Sequence, residues 1–171
     1  GTSASLGLCG TDPAVNLFDH LGGTPDAGGT WTGPGGAASN GVFIPGLAGS
    51  YAYQYKVVGT VPCAPDSATV SILVSQAPNA GNSGTLTICT GQTTVDLFDG
   101  LDGAPDLNGT WTEITVTGRL GGHTFNPGIP TQLPPGNYDF RYVVPPSGTC
   151  NGDTATVRVT IVAVLNAGND G

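Results

Sequence analysis

The second half of this chain restates the first, and that repetition limits the fold more than any other feature. Cys9-Gly-Thr-Asp-Pro-Ala-Val-Asn-Leu-Phe-Asp-His-Leu-Gly-Gly-Thr-Pro-Asp-Ala-Gly-Gly-Thr-Trp31 returns 80 residues later as Cys89-Thr-Gly-Gln-Thr-Thr-Val-Asp-Leu-Phe-Asp-Gly-Leu-Asp-Gly-Ala-Pro-Asp-Leu-Asn-Gly-Thr-Trp111. Tyr51-Ala-Tyr-Gln-Tyr-Lys-Val57 returns as Tyr138-Asp-Phe-Arg-Tyr-Val-Val144, and Cys63-Ala-Pro-Asp-Ser-Ala-Thr-Val70 as Cys150-Asn-Gly-Asp-Thr-Ala-Thr-Val157. The offset grows to 82 at Phe43/Phe125 and to 87 from Tyr51/Tyr138 onward. Self-similarity at a fixed period marks stacked or strung modules. The expected division is a first repeat over 1–78, a second over 79–165, and the opening of a third over 166–171, where Asn-Ala-Gly-Asn recurs. On that reading the chain is cut from a longer array. The junction around Pro78-Asn79-Ala-Gly-Asn82 is too short for a free tether and predicts a semi-rigid connection.

Within each copy, period-two alternation dominates. Tyr51, Tyr53, Tyr55 and Val57 share one face of a strand, as do Ala68, Val70, Ile72 and Val74; Tyr138, Phe140, Tyr142 and Val144 repeat the first pattern, and Ala155, Val157, Val159 and Ile161 the second. Such alternation buries one face and wets the other. Shorter runs at Leu6/Leu8, Val15–Phe18, Gly29-Thr-Trp-Thr32 and Val42–Ile44 bring the total to six or seven strands per copy, separated by turn signals. The expected class is all-β: two tandem immunoglobulin-like antiparallel sandwiches. Glycine and proline, 29 and 14 residues, supply the turns.

Four cysteines allow three pairings. If each repeat is self-contained, Cys9 joins Cys63 and Cys89 joins Cys150, one staple per domain. No two cysteines stand at zinc-ligand spacing. Disulfides of this kind belong to oxidising compartments, so an extracellular site is expected. The net charge of −8, with only four basic residues, leaves nothing to neutralise phosphates and excludes nucleic acid as a partner. It also disfavours an anionic membrane surface, and no apolar run is long enough to insert in a bilayer.

Candidate sites are few. Trp31 and Trp111 stand at equivalent positions beside Gly-Thr and read as core tryptophans of a sandwich, the alternative being an exposed platform for a sugar ring. Asp96, Asp99, Asp102 and Asp106 form a candidate calcium set in the second copy, because calcium takes six to eight hard oxygens. Against it stands ordinary turn chemistry, with Asp19 and Asp26 capping turns through their own backbone. The two histidines, His20 and His123, fall at non-equivalent positions, and no nucleophile elbow, phosphate loop or metal-ligand cluster is present, so catalysis is not expected.

The phrase Leu-Phe-Asp-x-Leu-x-Gly-x-Pro-Asp-x-x-Gly-Thr-Trp, followed by Cys-x-x-Asp-[Ser/Thr]-Ala-Thr-Val and the Asn-Ala-Gly-Asn junctions, resembles the tandem immunoglobulin-like repeats of giant surface proteins of gliding and related Bacteroidota. The resemblance spans both copies. It implies a long extracellular adhesin exported by the type IX system, in some members carried along the cell surface during gliding. It leaves the surface or glycan ligand open and makes neighbouring repeats the immediate partners. Asp66-Ser67-Ala68 and Asp153-Thr154-Ala155 further resemble the O-glycosylation acceptor used in that phylum, which makes Ser67 and Thr154 candidate acceptors. The alternative function is a carbohydrate-binding or spacer module of a secreted polysaccharide-degrading enzyme.

Overall fold

The computed structural model describes residues 1–164; the opening of a third repeat expected at 166–171 lies outside the described residues. The chain forms two compact units. Unit 1 comprises Gly1–Ala77 together with Pro146–Asn151, and unit 2 comprises Pro78–Pro145 and the described residues 152–164. Both are all-β sandwiches, as the alternation predicts.

In unit 1 the edge strand β1 (Ala4–Cys9) runs parallel to β7 (Asp66–Ser75). Strand β7 pairs antiparallel with β6 (Gly49–Val57), followed by β3 (Thr30–Thr32) and β4 (Ala38–Ser39). The opposing layer is the short pair β2 (Val15–Asn16) and β5 (Val42–Phe43). Between the layers lie Leu8, Leu17, Trp31, Phe43, Tyr55, Val70, Ile72 and Val74, so the alternating face of β7 is the core face.

Unit 2 repeats the plan. Strand β8 (Gly84–Cys89) runs parallel to β14 (Asp153–Val162), which pairs with β13 (Gly136–Val144) and through it with β10 (Thr110–Glu113). The opposing sheet holds β9 (Val95–Asp96), β12 (Thr124–Phe125) and β11 (Leu120–Gly121). Phe125, Phe140, Tyr142, Val157 and Val159 are fully buried between them.

The run from Val15 to Phe18 is not one strand. After two residues the backbone tightens into a 3-10 turn, Leu17–His20, because the Asn16 side chain accepts the Phe18 amide at 3.2 Å. Asp96 does the same for Phe98 at 2.9 Å before the turn Leu97–Gly100. A side-chain acceptor placed two residues ahead satisfies an amide that would otherwise need a ladder partner.

The cysteine pairing expected from self-contained repeats is overturned. The bridge joins Cys9 to Cys150, 141 residues apart, and Cys63 and Cys89 are free, exposed thiols. Strand geometry gives the reason. Cys9 lies opposite Ser75, the last residue of β7, whereas Cys63 precedes Asp66, the first. Ten extended residues put the two ends about 30 Å apart, and a disulfide needs Cα atoms within about 7 Å. The same strand length separates Cys89, opposite Val162, from Cys150, which precedes Asp153. Cys150 instead sits in the Pro146–Asn151 segment that belongs to unit 1.

Candidate functional site

The repeated motif proves to be a packing device. The Tyr55 hydroxyl donates to the Asp26 carbonyl at 2.8 Å and accepts the Gly29 amide at 2.7 Å. Tyr142 donates to Asp106 and accepts from Gly109 in the same way. Each tyrosine thereby pins the Pro-Asp-x-x-Gly-Thr-Trp turn to the central sheet. The glycine is required by close approach: a Cβ on Gly29 would lie 2.6 Å from the Lys56 carbonyl oxygen, and one on Gly109 2.6 Å from that of Val143. Trp31 and Trp111 follow directly and are buried, 8% and 7% exposed, each tilted against its tyrosine at about 5 Å between ring centres.

The four carboxylates of the candidate calcium set do not converge. Asp96 caps the Phe98 turn, and its other oxygen lies 3.7 Å from His123 Nε2. Asp99 sits inside the 3-10 turn, and the Asp102 backbone bridges Asn82. Asp106 accepts the Asn79 amide at 2.9 Å. Among the described residues no three His, Cys, Asp or Glu side chains are placed to hold a metal ion. Asp96 and Asp106 already accept backbone amides, which leaves fewer of the free oxygens calcium requires. The capping expected of Asp19 and Asp26 falls instead to Asn16, to Asp96 and to Asp12, which accepts the Cys9 amide at 2.8 Å.

The junction motif is likewise committed. The Asn79 side chain donates to the carbonyls of Gly103 and Ala104, and the Ala80 amide donates to the Asp153 carboxylate at 2.8 Å. Ala80 is fully buried in the unit 2 core. Asn79–Asn82 is thus part of a folded unit. Ser67 and Thr154 are exposed at the second position of β7 and β14, where the preceding Asp66 and Asp153 carboxylates accept their amides.

Unit 2 carries a cleft of about 430 Å³ lined by Phe98, Leu107, Trp111, Leu120 and His123 among others. Phe98 stands edge-on to Trp111 and lies 5.7 Å from the His123 ring. The Trp111 indole N–H is buried without a partner, a costly arrangement unless something polar reaches it. Leu107 is exposed beside it.

The loop that brings Leu120 to the cleft is built on Glu113, the only glutamate in the chain. Its carboxylate accepts the amides of Thr117, Gly118, Arg119 and Leu120 and the Thr117 hydroxyl, at 2.7–3.1 Å. Desolvation pushes its pKa up, but hydrogen bonds from the Thr117 hydroxyl and the backbone outweigh it and hold the pKa at about 2. Sequence reasoning missed this residue. Its one signal was position: Glu113 stands where the repeat offset begins to grow. On the outer face Arg158 grips Asp139 with two bonds, Nε to Oδ1 at 2.7 Å and Nη2 to Oδ2 at 3.0 Å, which lowers the Asp139 pKa.

No protein-family model matches the chain, and no curated protein matches it in sequence. Solved structures do. Hemolin, an insect immune protein whose domain arrangement has implications for homophilic adhesion, is 14% identical with a TM-score of 0.53, covering 95% of this chain and 46% of its own. The titin I-band fragment I67–I69 is 13% identical with a TM-score of 0.43, covering 96% and 63%. The N-terminal four Ig domains of Dscam1 isoform 6.9 are 11% identical with a TM-score of 0.39, covering 94% and 43%. The chain spans about half the length of the hemolin chain. At such identities the likeness shows the immunoglobulin-like fold alone. Among the described residues no helix is long and apolar enough to cross a membrane.

Proposed function

We propose that this chain is a structural and adhesive module of a long cell-surface filament, of the kind its motifs resemble in the giant type IX-exported adhesins of Bacteroidota. The observation that carries this reading is the bridge between the first cysteine of one sequence repeat and the second cysteine of the next. Tension applied to the two ends would pass through that bond and bypass the 141-residue span it closes. In the loop-closure picture the same bond stabilises the folded chain by about 5 kcal/mol. A covalent short-circuit of this kind suits a module whose work is to stay folded under load in an oxidising, extracellular setting. Neighbouring repeats are its first partners, and the homophilic implication attached to hemolin fits repeat-to-repeat contact. Antibodies against this chain should label intact cells of its source organism. Labelling that appears only after permeabilisation would overturn the reading.

A second reading rests on the unit 2 cleft, where an aromatic wall that includes Phe98 and His123 suits a sugar ring. Here the chain would bind a glycan for a secreted polysaccharide-degrading enzyme. Retention on insoluble polysaccharide that is lost in His123→Ala would support it; passage of the unmodified chain without delay would sink it.

A further inference from the structure

The two free thiols are the repeat counterparts of the two bonded cysteines. Cys89 corresponds to Cys9, and Cys63 to Cys150. Local geometry matches as well as sequence. Cys9 ends β1, and the next amide, Gly10, donates to the Ser75 carbonyl at 2.9 Å; Cys89 ends β8, and Thr90 donates to Val162 at 2.9 Å. Both second cysteines donate their amide three residues back, Cys150 to Ser147 at 2.9 Å and Cys63 to Thr60 at 2.8 Å, although the turns differ: Gly148 takes a φ of 57° where the first repeat has a cis Val61–Pro62 bond. Exposure differs as well. Cys9 and Cys150 are buried by their bond, while Cys63 and Cys89 are exposed.

We infer that Cys63 and Cys89 are the two unfilled halves of a repeating bridge, so that each takes a further copy of this repeat as its covalent partner. The formed bridge sets the rule: the first cysteine of one repeat bonds the second cysteine of the following one. Cys89 therefore takes the Cys63-type cysteine of a following copy, and Cys63 the Cys89-type cysteine of a preceding copy. Pairing within one repeat is blocked by the strand length that separates the two positions. The contact is head-to-tail, and such contacts propagate without closing. Exposed apolar side chains flank both thiols: Val58 and Val61, 77% and 97% exposed, beside Cys63, and Val162 and Val164, 38% and 60%, beside Cys89. Val61 stands where the formed bridge has Gly148, whose Cβ would collide with Ser75, so this junction does not repeat the glycine contact.

Bond formation needs an oxidant, supplied by a small disulfide such as oxidised glutathione. The Cys89 thiolate attacks it and expels one glutathione thiolate. The Cys63 thiolate of the second copy then attacks the Cys89 sulfur and expels the other, so one protein disulfide forms and one glutathione disulfide becomes two thiols.

The test uses the full chain as Cys63→Ser and Cys89→Ser variants, one of them isotopically heavy, each incubated alone and mixed with oxidised glutathione. Each variant alone should stay monomeric on a non-reducing gel. The mixture should give a dimer that stops at two, with one cross-linked peptide joining Cys89 of the first variant to Cys63 of the second, while the unmodified chain forms a ladder. Variants that dimerise alone as readily as in the mixture, through Cys63–Cys63 or Cys89–Cys89 bonds, would overturn the inference. A mixture that forms no dimer would overturn it equally.

Discussion

Pulling the chain by its two ends tests the cross-repeat bridge most directly. With the disulfide intact, the covalent path runs from Gly1 to Cys9, across the bond to Cys150, and on to the C-terminal end; the intervening span is loaded only through the pairing of β1 with β7 and of β14 with β13 and β8. At about 3.3–3.6 Å per extended residue, the 141-residue separation hides roughly 470–510 Å of contour length. Single-molecule force spectroscopy in the presence and absence of a phosphine reductant should show this length appear only after reduction. The variant Cys9→Ser sharpens the test, because losing one cysteine should release the whole hidden length without reductant. Had each repeat been stapled to itself, Cys9→Ser would free only the Cys9–Cys63 span, about 180–190 Å. An oxidised chain that unfolds to the same length as the reduced one, or a Cys9→Ser release near the smaller value, would refute the force path.

Other outcomes follow from the same contacts. Glu113→Gln should lower unit 2 stability by about 1–2 kcal/mol at neutral pH, the ceiling of about 3 set by the pKa depression being cut by solvent screening of a half-buried carboxylate. Because its folded pKa is depressed, the contribution is present above about 4.5 and lost as pH falls toward about 2; urea unfolding monitored by Trp111 fluorescence in a Trp31→Phe background should show the gap between the two proteins close on acidification, and a pH-independent gap would contradict the role assigned. Tyr55→Phe and Tyr142→Phe should each cost about 1–3 kcal/mol in denaturant melts, because each strands a carbonyl and an amide. Gly109→Ala should destabilise unit 2 by about 1–3 kcal/mol or more, since its Cβ meets the Val143 oxygen and the Tyr142 ring, whereas Gly118→Ala, with open space around it and strained only by its positive φ, should cost less in the same melts. Calcium and chelator should leave the melting temperature unchanged, with a calcium-dependent rise counting against the dispersed carboxylates.

What was legible in the sequence was whatever rests on local periodicity. The alternating faces of β7 and β14 and the aromatic faces of β6 and β13 could be read residue by residue, because a two-residue period allows only one face to be buried. The opposing layer was legible only as apolar runs, since side chains of Asn16 and Asp96 cut those strands to two residues and turn the rest into 3-10. The conserved spacing between Pro-Asp and Gly-Thr-Trp was visible, but its cause, a tyrosine hydroxyl reaching back 29 residues to Asp26, was not. Long-range acceptors leave no periodic trace. Glu113 was hidden for the opposite reason: it has no counterpart, because the first repeat has Gly33 at that position.

The cysteines mark the limit of reasoning from repeats. Two copies of one sequence invite the assumption that every interaction closes within its copy, and for the core it does: Tyr55 and Tyr142 each hold their own turn. A disulfide obeys a stricter metric than a hydrophobic contact, because its Cα atoms must approach within a few ångströms. The parallel pairing of β1 with the full length of β7 fixes where Cys9 falls, at the far end from Cys63. Once the register is known, the repeat-internal bond is ruled out by strand length alone, and the same register in β8 and β14 rules it out again. The parallel edge strand therefore decides the covalent topology: two cysteines placed at opposite ends of each sheet can be satisfied only by a cysteine from another copy, as Cys150 satisfies Cys9.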